Sequence, residues 1–482
     1  MINAALRRTL VAAGALISLA VGPSYGQGAT PVRTCDSLLS LSFPNTVIES
    51  AAVEGGRGTD PAVCRVNATV THPPAGDKVR IFVELPVTQW NGRFLGTGGG
   101  GFSGGSPQQL RPQTSLGYVT AATDTGHEGG SGSFALDSTG RLNWMLIRDN
   151  AYLGIHEMTV LAKSLAEAYY GRQPRYSYFE GCSTGGRQGL MEIQRYPADY
   201  DGVVSGAPAI NWPKFHVGQM WGQLVMLDAG NFIPPCKFAA AQAASVAACD
   251  AKDGVIGDPR QCSFDPKELI GTSAAGCGAF TETDANVIRK IWQGPRRRDG
   301  SFLWYGLPRG ADFMGVSKAG EPFGVGMDWW KYFLTQNPQW DWKTLTFPAY
   351  EQYYDQSVEE YGAVLGTDAA DLAAFRDHGG KAIVWHGQAD PLIYPEGTID
   401  YYERVERQMG GAAQTAGFIR LFMAPGVGHC RGGPGPQPAG QLDAVESWVE
   451  EGKAPDTLPT GAGRPLCPFP AVERNSVCSQ TY

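Results

Sequence analysis

The sequence of 482 residues lacks three features that would point to common classes of protein. It has no long run of basic residues, and its net charge is −8 at pH 7, which argues against a nucleic-acid-binding protein. It has no Cys-x-x-Cys pair, so its ten cysteines do not resemble a metal site. Its N-terminal apolar run is shorter than the ~20 residues that span a bilayer. The remaining composition, 43% hydrophobic and 18% charged, is typical of a well-packed globular protein.

The N-terminus has the layout of a secretory signal peptide. Arg7 and Arg8 precede an apolar stretch at 10–21, and Ser24-Tyr25-Gly26 places small residues at the two positions that a signal peptidase reads. We therefore predict that residues 1–26 are removed and that the mature chain is secreted or periplasmic, without a membrane anchor. An even number of cysteines in an exported chain predicts disulfides.

A glycine-rich stretch has the pattern Gly-x-Ser-x-Gly, at Gly181-Cys182-Ser183-Thr184-Gly185. Aromatic residues at 176–179 favour a short buried strand before it, and residues 188–196 favour a helix after it. In that setting the pattern predicts a nucleophile elbow, a sharp turn that exposes the serine. The alternative is a glycine-rich turn with an ordinary serine, but the flanking strand and helix favour the elbow.

Hydrophobic patterning divides the mature chain into three parts. Strands, an amphipathic helix at 151–170 and the elbow alternate in the first part, and this alternation is lost after about residue 207. It returns with a buried strand at 381–387. We predict an α/β fold with a doubly wound, mostly parallel sheet of the α/β-hydrolase type. The core segments are 27–209 and 377–482, and residues 210–376 form a large inserted lid domain.

A serine nucleophile needs a base within hydrogen-bond reach and an acid that orients the base. Asp390 directly follows a buried strand, and His429 lies in the loop after the next predicted strand. Their order after Ser183 is the order Ser, Asp, His of α/β hydrolases. We predict Ser183, Asp390 and His429 as the catalytic residues. His386 is an alternative base, but it precedes Asp390, so we expect a packing or hydrogen-bonding role for it.

Four consecutive glycines, Gly98 to Gly101, follow an early predicted strand. A backbone N–H of this loop would join that of Thr184 in an oxyanion hole, as the glycine loop of lipases does, and we predict Gly100 as the donor. The alternative is a flexible surface turn. The position directly after a sheet strand favours the oxyanion hole. His127, after the next strand, is expected to have a structural or pocket-wall role.

Two cysteines flank the predicted catalytic residues. Cys182 directly precedes Ser183, and Cys430 directly follows His429. If Ser183 and His429 are in contact, their neighbours are close enough to form a disulfide. Such a bridge would hold the base to the nucleophile.

With these residues in view, the chain resembles the tannase and feruloyl esterase family. The resemblance rests on Gly-Cys-Ser-Thr-Gly-Gly-Arg-Gln-Gly at 181–189, Asp-Pro-Leu-Ile at 390–393 and Gly-His-Cys at 428–430, and it extends over nearly the whole mature chain. It implies an α/β-hydrolase fold with a lid, secreted serine esterase activity, no organic cofactor and a Cys182–Cys430 disulfide. The family's substrates are esters of aromatic acids, including galloyl, feruloyl and terephthalate half-esters.

The resemblance also implies a structural calcium site in the lid. The family often has the pattern Cys-Asp-x-x-Asp-Gly-x-x-Asp-Gly there. This sequence keeps Asp250 and Asp253, but Gly257 stands where the third aspartate is expected. The predicted Ca²⁺ ligands are Asp250, Asp253 and Val255, and the alternative is a disulfide-closed acidic turn without metal, since Ca²⁺ takes six to eight oxygen ligands.

The other cysteine pairings are hypotheses. Cys249–Cys262 would close the acidic lid loop, Cys467–Cys478 would lie near the C-terminus, and Cys35–Cys64 would lie in the N-terminal β region. That leaves Cys236 with Cys277. Spacing alone leaves other connectivities open.

Together these features predict hydrolysis of esters of aromatic (phenolic) acids through an acyl-enzyme. The aromatic lid is expected to contact the acyl group, although core packing explains its aromatic residues equally well. The candidate pocket walls are Trp329, Trp330, Phe333 and Leu392. The alternatives are a secreted serine peptidase on the same fold and a catalytically idle binding protein. The second is disfavoured because all three predicted catalytic residues are present.

Overall fold

A computed structural model of the protein describes residues 29–56, 61–250, 253–316, 321–461, 463–474 and 477–480. The predicted signal peptide, residues 1–26, lies outside the described residues. Across these ranges, none of the helices combines the length and the apolar character that crossing a bilayer requires.

Among the described residues, nine strands form the central sheet, and four others form two small hairpins. The strands are, in chain order, β1 (Thr46–Glu54), β2 (Val63–Val70), β3 (Val79–Pro86), β4 (Arg93–Thr97), β5 (Val119–Thr123), β6 (Tyr176–Cys182), β7 (Gly202–Gly206), β8 (Ser273–Ala274), β9 (Gly278–Ala279), β10 (Lys381–Gly387), β11 (Ile419–Ala424), β12 (Ala471–Arg474) and β13 (Val477–Gln480). The hairpins are β8–β9 and β12–β13.

The α-helices are α1 (Arg111–Thr114), α2 (Trp144–Arg148), α3 (Gly154–Tyr170), α4 (Thr184–Arg195), α5 (Trp212–Gly218), α6 (Trp221–Asp228), α7 (Pro235–Cys249), α8 (Glu282–Gln293), α9 (Gly324–Asp328), α10 (Phe347–Leu365), α11 (Ala373–His378), α12 (Glu396–Gln408), α13 (Ala412–Thr415) and α14 (Gln441–Glu451). Helix α3 begins later than the predicted residue 151 because Asp149–Leu153 forms a π-helical turn before it.

The strand order in the central sheet is β1-β2-β3-β5-β4-β6-β7-β10-β11. The pairs from β1 to β5 are antiparallel, and every pair from β5 onwards is parallel. The N-terminal β region therefore extends one edge of a mostly parallel sheet. The C-terminal ends of β4, β6, β10 and β11 lie on the same edge, which is where an open α/β sheet collects its functional side chains.

Both faces of the parallel strands are covered by helices. Phe94 and Val384 pack with side chains of α3, α4 and α12 in one apolar cluster. Their neighbours Leu95 and Ile383 pack with α14 in a cluster on the other face. Since successive side chains of a strand point to opposite faces, a strand buried on both sides is apolar without interruption. This explains why residues 382–385 of β10 form a continuous hydrophobic run in the sequence.

The segment between β7 and β10 has an apolar core of its own, built by α5 to α10. That core also includes Phe102 and Ile147, which come from the connections between β4 and α3. The inserted segment therefore packs onto the loops at the C-terminal edge of the sheet, as the lid predicted at 210–376 would. The last part of the predicted lid does not pack in this lid core, because Phe375 of α11 is buried in the core of the sheet.

All ten cysteines are paired in the structure. The five disulfides are Cys35–Cys64, Cys182–Cys430, Cys236–Cys277, Cys249–Cys262 and Cys467–Cys478. These are the pairings that the sequence suggested.

Candidate active site

The turn between β6 and α4 holds Ser183 in an unusual backbone conformation. Its φ of 64° and ψ of −121° lie in a region that non-glycine residues rarely occupy. Backbone hydrogen bonds fix it there, since its N–H donates to Gly206 and its carbonyl accepts from Ala209. A Cβ on Gly181 would lie 2.6 Å from the Gly185 carbonyl carbon, so the sharp turn needs a glycine at 181.

His429 and Asp390 form a hydrogen-bonded pair in the neighbouring loops. His429 Nδ1 lies 2.7 Å from Asp390 Oδ2, and Asp390 is completely buried. The second carboxylate oxygen, Oδ1, accepts the N–H groups of Leu392 at 2.8 Å and Ile393 at 3.0 Å. Because Nδ1 is bonded to the carboxylate, Nε2 is the nitrogen of His429 that is left to exchange a proton with a reacting group.

His386 binds the same carboxylate from the interior. Its Nε2 lies 3.1 Å from Asp390 Oδ2 and 2.9 Å from the carbonyl of Ile393, and its Nδ1 lies 2.8 Å from Thr398 Oγ1. Two acceptors at Nε2 require that nitrogen to carry the proton. His386 is fully buried, so it orients Asp390, as its expected hydrogen-bonding role implies.

The electrostatics of the pair favour its charged forms. Burial lowers the pKa of His429, but the charge of Asp390 and its hydrogen bond together raise that pKa above the ordinary value. For Asp390, burial acts to raise the pKa, and the charge and hydrogen bonds of the two histidines outweigh it, so the pKa is lowered. Asp390 is therefore an ionised, preoriented partner for an imidazolium at His429.

The Cys182–Cys430 disulfide joins the serine turn to the histidine loop. The two Cα atoms are 6.0 Å apart although 248 positions separate them in the sequence. Since each cysteine is the direct neighbour of a predicted catalytic residue, the bridge keeps Ser183 and His429 on adjoining backbone segments.

The glycine loop after β4 docks on the first turn of α4. The N–H of Gly185 donates to the carbonyl of Gly99 at 2.8 Å, and Thr184 Oγ1 donates to the carbonyl of Gly101 at 2.5 Å. In the described part of the chain, the backbone N–H groups of Gly100 and Thr184 have no acceptor. The two predicted oxyanion-hole donors thus lie on segments that are bonded to each other and are free to bind a ligand oxygen.

Two residues that hold the glycine loop and the π-helical turn bonded to it were not predicted from the sequence. Gln188 accepts the N–H of Gly99 at 3.0 Å and donates to the carbonyl of Gly104 at 3.0 Å. Arg187 is fully buried and donates to the carbonyls of Asn150 and Ala151. The sequence did contain a hint of these roles: two large polar residues follow the elbow on a helix that must pack against the sheet, so they need buried hydrogen-bond partners.

Comparison with known proteins identifies the family. The family model described as tannase and feruloyl esterase matches residues 64–474. A probable feruloyl esterase from Arthroderma benhamiae is 38% identical over 468 residues, covering 90% of this chain and 84% of the relative. The chain belongs to the tannase and feruloyl esterase family. It is therefore a carboxylic ester hydrolase.

Two further relatives agree with this family. A mono(2-hydroxyethyl) terephthalate hydrolase from Piscinibacter sakaiensis is 29% identical over 548 residues, covering 90% of this chain and 87% of the relative. The crystal structure of feruloyl esterase B from Aspergillus oryzae has 26% sequence identity and a TM-score of 0.83, covering 92% of this chain and 99% of that chain. The predicted α/β-hydrolase fold is confirmed.

Three of the predicted pocket walls of this esterase lie in the core of the lid. Trp329 and Trp330 are 0% exposed and Phe333 is 1% exposed. Trp329 stacks on Phe333, with ring centroids 4.4 Å apart. Side chains without accessible surface do not contact a ligand in this conformation, so the prediction for these three is corrected: their apolar area is buried against other lid residues. Leu392 is half-buried, and its role as a wall stays a prediction.

In the described part of the acidic lid loop, the carboxylates of Asp250 and Asp253 already have partners. Both carboxylate oxygens of Asp250 accept backbone N–H groups of the same loop. One oxygen of Asp253 accepts the N–H of Val255, and the other pairs with Arg464 at 2.9 Å. Ca²⁺ requires six to eight oxygens, and a guanidinium group in contact with a ligand does not fit it. The predicted site at Asp250, Asp253 and Val255 gains no support here.

The raised pKa of His429 predicts the acidic limb of the pH profile. A general base must be neutral, so kcat/KM should fall as the pH drops through a pKa above the ordinary 6.5. In Asp390→Asn the stabilising charge is lost, so the limb should move to lower pH while kcat/KM falls by roughly 10³- to 10⁴-fold. Asp456→Asn, which changes a 96% exposed side chain, is the control. An acidic limb that stays in place in Asp390→Asn would contradict the pairing.

The Cys182–Cys430 bridge should matter for both stability and catalysis. Replacing both cysteines by serine opens a long loop, which in the chain-entropy account costs up to roughly 5 kcal/mol of unfolding free energy. We also expect a clear loss of kcat/KM, because Ser183 and His429 are no longer held together. Urea unfolding and an ester assay measure the two effects.

The matched control for this bridge is the double serine variant of Cys467 and Cys478, whose sequence separation is 11. It should lose less stability, about 3 kcal/mol, and keep its kcat/KM. Equal losses of kcat/KM in the two double variants would show that the first bridge has no particular role in the site.

Proposed function

We propose that the protein is an exported serine esterase that hydrolyses esters of phenolic acids, with Ser183 as nucleophile, His429 as base and Asp390 as the acid that orients the base. One observation carries the assignment: the disulfide next to Ser183 and His429 joins a strained, half-buried serine turn to the loop of a histidine that is bonded to a buried carboxylate. Serine hydrolases need a nucleophile, a base and an orienting group in series, and these three residues are our candidates for those roles.

The reaction runs in two halves. Ser183 Oγ forms a bond to the ester carbonyl carbon while His429 Nε2 takes the hydroxyl proton. The carbon–oxygen bond to the alcohol then breaks, the alcohol leaves with the proton from His429, and an acyl-enzyme remains. Water attacks the acyl carbon, His429 takes a proton from it, and the bond to Ser183 Oγ breaks as the proton returns to Oγ.

The backbone N–H groups of Gly100 and Thr184 are proposed to bind the carbonyl oxygen as it becomes negatively charged. Their orientation is set before reaction, because Thr184 begins α4 and its hydroxyl is bonded to the glycine loop. Preorganised donors of this kind stabilise the transition state by ~3–4 kcal/mol each. The N-terminal end of α4 adds a favourable field at the same oxygen.

The acyl group is proposed to lie against aromatic side chains that adjoin the glycine loop. The His127 ring stacks on Phe134 with centroids 3.9 Å apart, and both side chains are half-buried. His127 Nε2 is 2.8 Å from the carbonyl of Phe102 at the end of the loop. A planar ring suits a flat aromatic acyl group. The names of the relatives, feruloyl esterases and a terephthalate half-ester hydrolase, support this substrate class.

Export is supported by the five disulfides, which persist in oxidising compartments. We propose that the chain acts outside the cytoplasm, secreted or periplasmic, after removal of residues 1–26. The substrate is then a small soluble ester or an ester group at the surface of a larger extracellular material.

A matched substrate panel tests the function. Methyl ferulate, methyl gallate, mono(2-hydroxyethyl) terephthalate, p-nitrophenyl acetate and the amide of ferulic acid are assayed with the wild type, Ser183→Ala and Ser164→Ala. We expect one or more aromatic-acid esters to have the highest kcat/KM, the amide to be inert, and Ser183→Ala to lose about 10⁴-fold or more. Ser164, a half-buried residue of α3 whose hydroxyl donates to the Val160 carbonyl, is the control, and its replacement should leave kcat/KM unchanged.

Turnover of the p-nitrophenyl ester alone would contradict the phenolic-acid assignment and leave the esterase mechanism intact. Full activity of Ser183→Ala would contradict the nucleophile. Cleavage of the amide at a rate near that of the ester would favour a peptidase.

A further inference from the structure

A second cluster of titratable side chains lies apart from the catalytic residues, around the π-helical turn that precedes α3. It consists of His72 after β2, Asp77 before β3, Asp149 in the π-helical turn before α3, and Glu157 in the first turns of α3. One nitrogen of His72 and one carboxylate oxygen each of Asp77 and Asp149 lie within 4.8 Å of one another. That is the size of the coordination sphere of a single ion.

Asp149 is the unusual member of this cluster. It is 0% exposed, and neither of its carboxylate oxygens has a hydrogen-bond partner among the described residues. The neighbouring guanidinium of Arg148 is directed to the Trp144 carbonyl and the Met145 sulfur instead. A buried carboxylate without a donor is unfavourable, so this position favours a positive partner, either a proton on Asp149 itself or a bound cation.

A protonated His72 would supply hydrogen-bond donors to only two of the three carboxylates in the cluster. His72 Nε2 is 2.7 Å from Glu157 Oε1, and His72 Nδ1 is 2.7 Å from Asp77 Oδ2. An imidazolium would satisfy those two carboxylates. Its Nδ1 is 3.8 Å from Asp149 Oδ1, which is beyond hydrogen-bond distance, so Asp149 would remain without a donor.

A divalent cation would bind His72, Asp77 and Asp149 together. If His72 Nε2–H donates to Glu157, Nδ1 presents its lone pair to an ion that Asp77 and Asp149 also ligate. Metal-binding histidines usually donate their other N–H to a carboxylate in this way. The ion has an entry path, because the side chain of His72 is 21% exposed.

We propose that His72, Asp77 and Asp149 bind one divalent metal ion of the Zn²⁺ or Mn²⁺ type, with Glu157 holding the histidine. One imidazole nitrogen with two carboxylates suits these ions, whereas Ca²⁺ prefers six or more oxygens. This site is separate from the acidic lid loop, and no step of ester hydrolysis runs through it.

Another cluster of a histidine with carboxylates provides a comparison. It consists of His156, Glu192 and Asp199. There Lys163 donates to the carbonyl of Asp199, and its ammonium group acts electrostatically on Glu192. That cluster already contains a fixed cation from the chain. In the cluster at His72 the electrostatic effect comes from Arg148, whose guanidinium bonds outside the cluster to Trp144 and Met145, which is why we assign the ion to it.

The contacts of the next residue, Asn150, suggest what the ion would stabilise. Asn150 Nδ2 donates to the carbonyl of Phe102 at 2.9 Å and to Thr125 Oγ1 at 3.2 Å, and its own carbonyl accepts from Arg187. An ion on Asp149 would fix the π-helical turn that anchors the end of the glycine loop. The ion is thus a structural support for the loop.

Metal analysis of the untagged, disulfide-bonded full chain tests the proposal. The protein is treated with a chelator, dialysed against Zn²⁺, Mn²⁺ or Ca²⁺ in separate arms, and analysed for bound metal and for Tm. We expect one equivalent of Zn²⁺ or Mn²⁺ and a rise in Tm of about 4 °C at an ion concentration of about a hundred times Kd. Crystals of the zinc-loaded wild type should show an anomalous peak between His72, Asp77 and Asp149.

Variants locate the ion. Asp149→Asn and His72→Gln should lose the equivalent of metal and the Tm rise, whereas Asp199→Asn in the comparison cluster and Asp253→Asn in the lid loop should keep both. Failure of the wild type to bind Zn²⁺ or Mn²⁺, or full binding by Asp149→Asn, overturns the proposal. A response to Ca²⁺ alone that is lost in Asp253→Asn also overturns it, because the ion then belongs to the lid. The wild-type anomalous map decides the question if the variants do not fold.

Discussion

The left-handed backbone at Ser183 is the constraint on which the active site depends. A residue held at φ 64° must be stabilised by its surroundings, and here three separate segments do so: β7 accepts its N–H, the following loop donates to its carbonyl, and the disulfide at Cys182 ties the turn to Cys430. The same tight turn brings α4 close enough for Gly185 to bond with Gly99. Nucleophile and oxyanion loop are therefore positioned by one piece of backbone geometry.

The buried charge of Asp390 is the second organising feature. Its two oxygens receive two backbone N–H groups and two imidazoles, so a carboxylate with no exposure to solvent stays ionised. His386 is part of this arrangement although it does not face the reacting atoms. By donating to the same oxygen as His429, it limits how far Asp390 can rotate, and this keeps the Nδ1 of His429 protonated and its Nε2 available.

The sequence predicted those parts of the structure that local pattern determines. The elbow follows from its Gly-x-Ser-x-Gly pattern, β10 from a continuous apolar run and α14 from helical periodicity. Asp390 and His429 were found because each follows a predicted strand. It did not predict which lid aromatics face a pocket, since Trp329 looks the same whether it packs inward or outward. Nor did it reveal the roles of Arg187 and Gln188, whose partners lie on chain segments 36 to 89 positions away.

The aromatic core of the lid and the oxyanion loop are parts of one packed unit. Phe102, at the end of the glycine loop, stacks on Phe333 with centroids 5.4 Å apart and meets Trp212 edge to face at 5.4 Å. Its carbonyl is held by His127 and Asn150. Since packed interiors transmit small shifts rather than absorb them, a volume change in the lid core acts on Phe102 and through it on the oxyanion donors. Lid residues that never touch the substrate therefore influence the chemical step, and mutations there should alter kcat as well as KM.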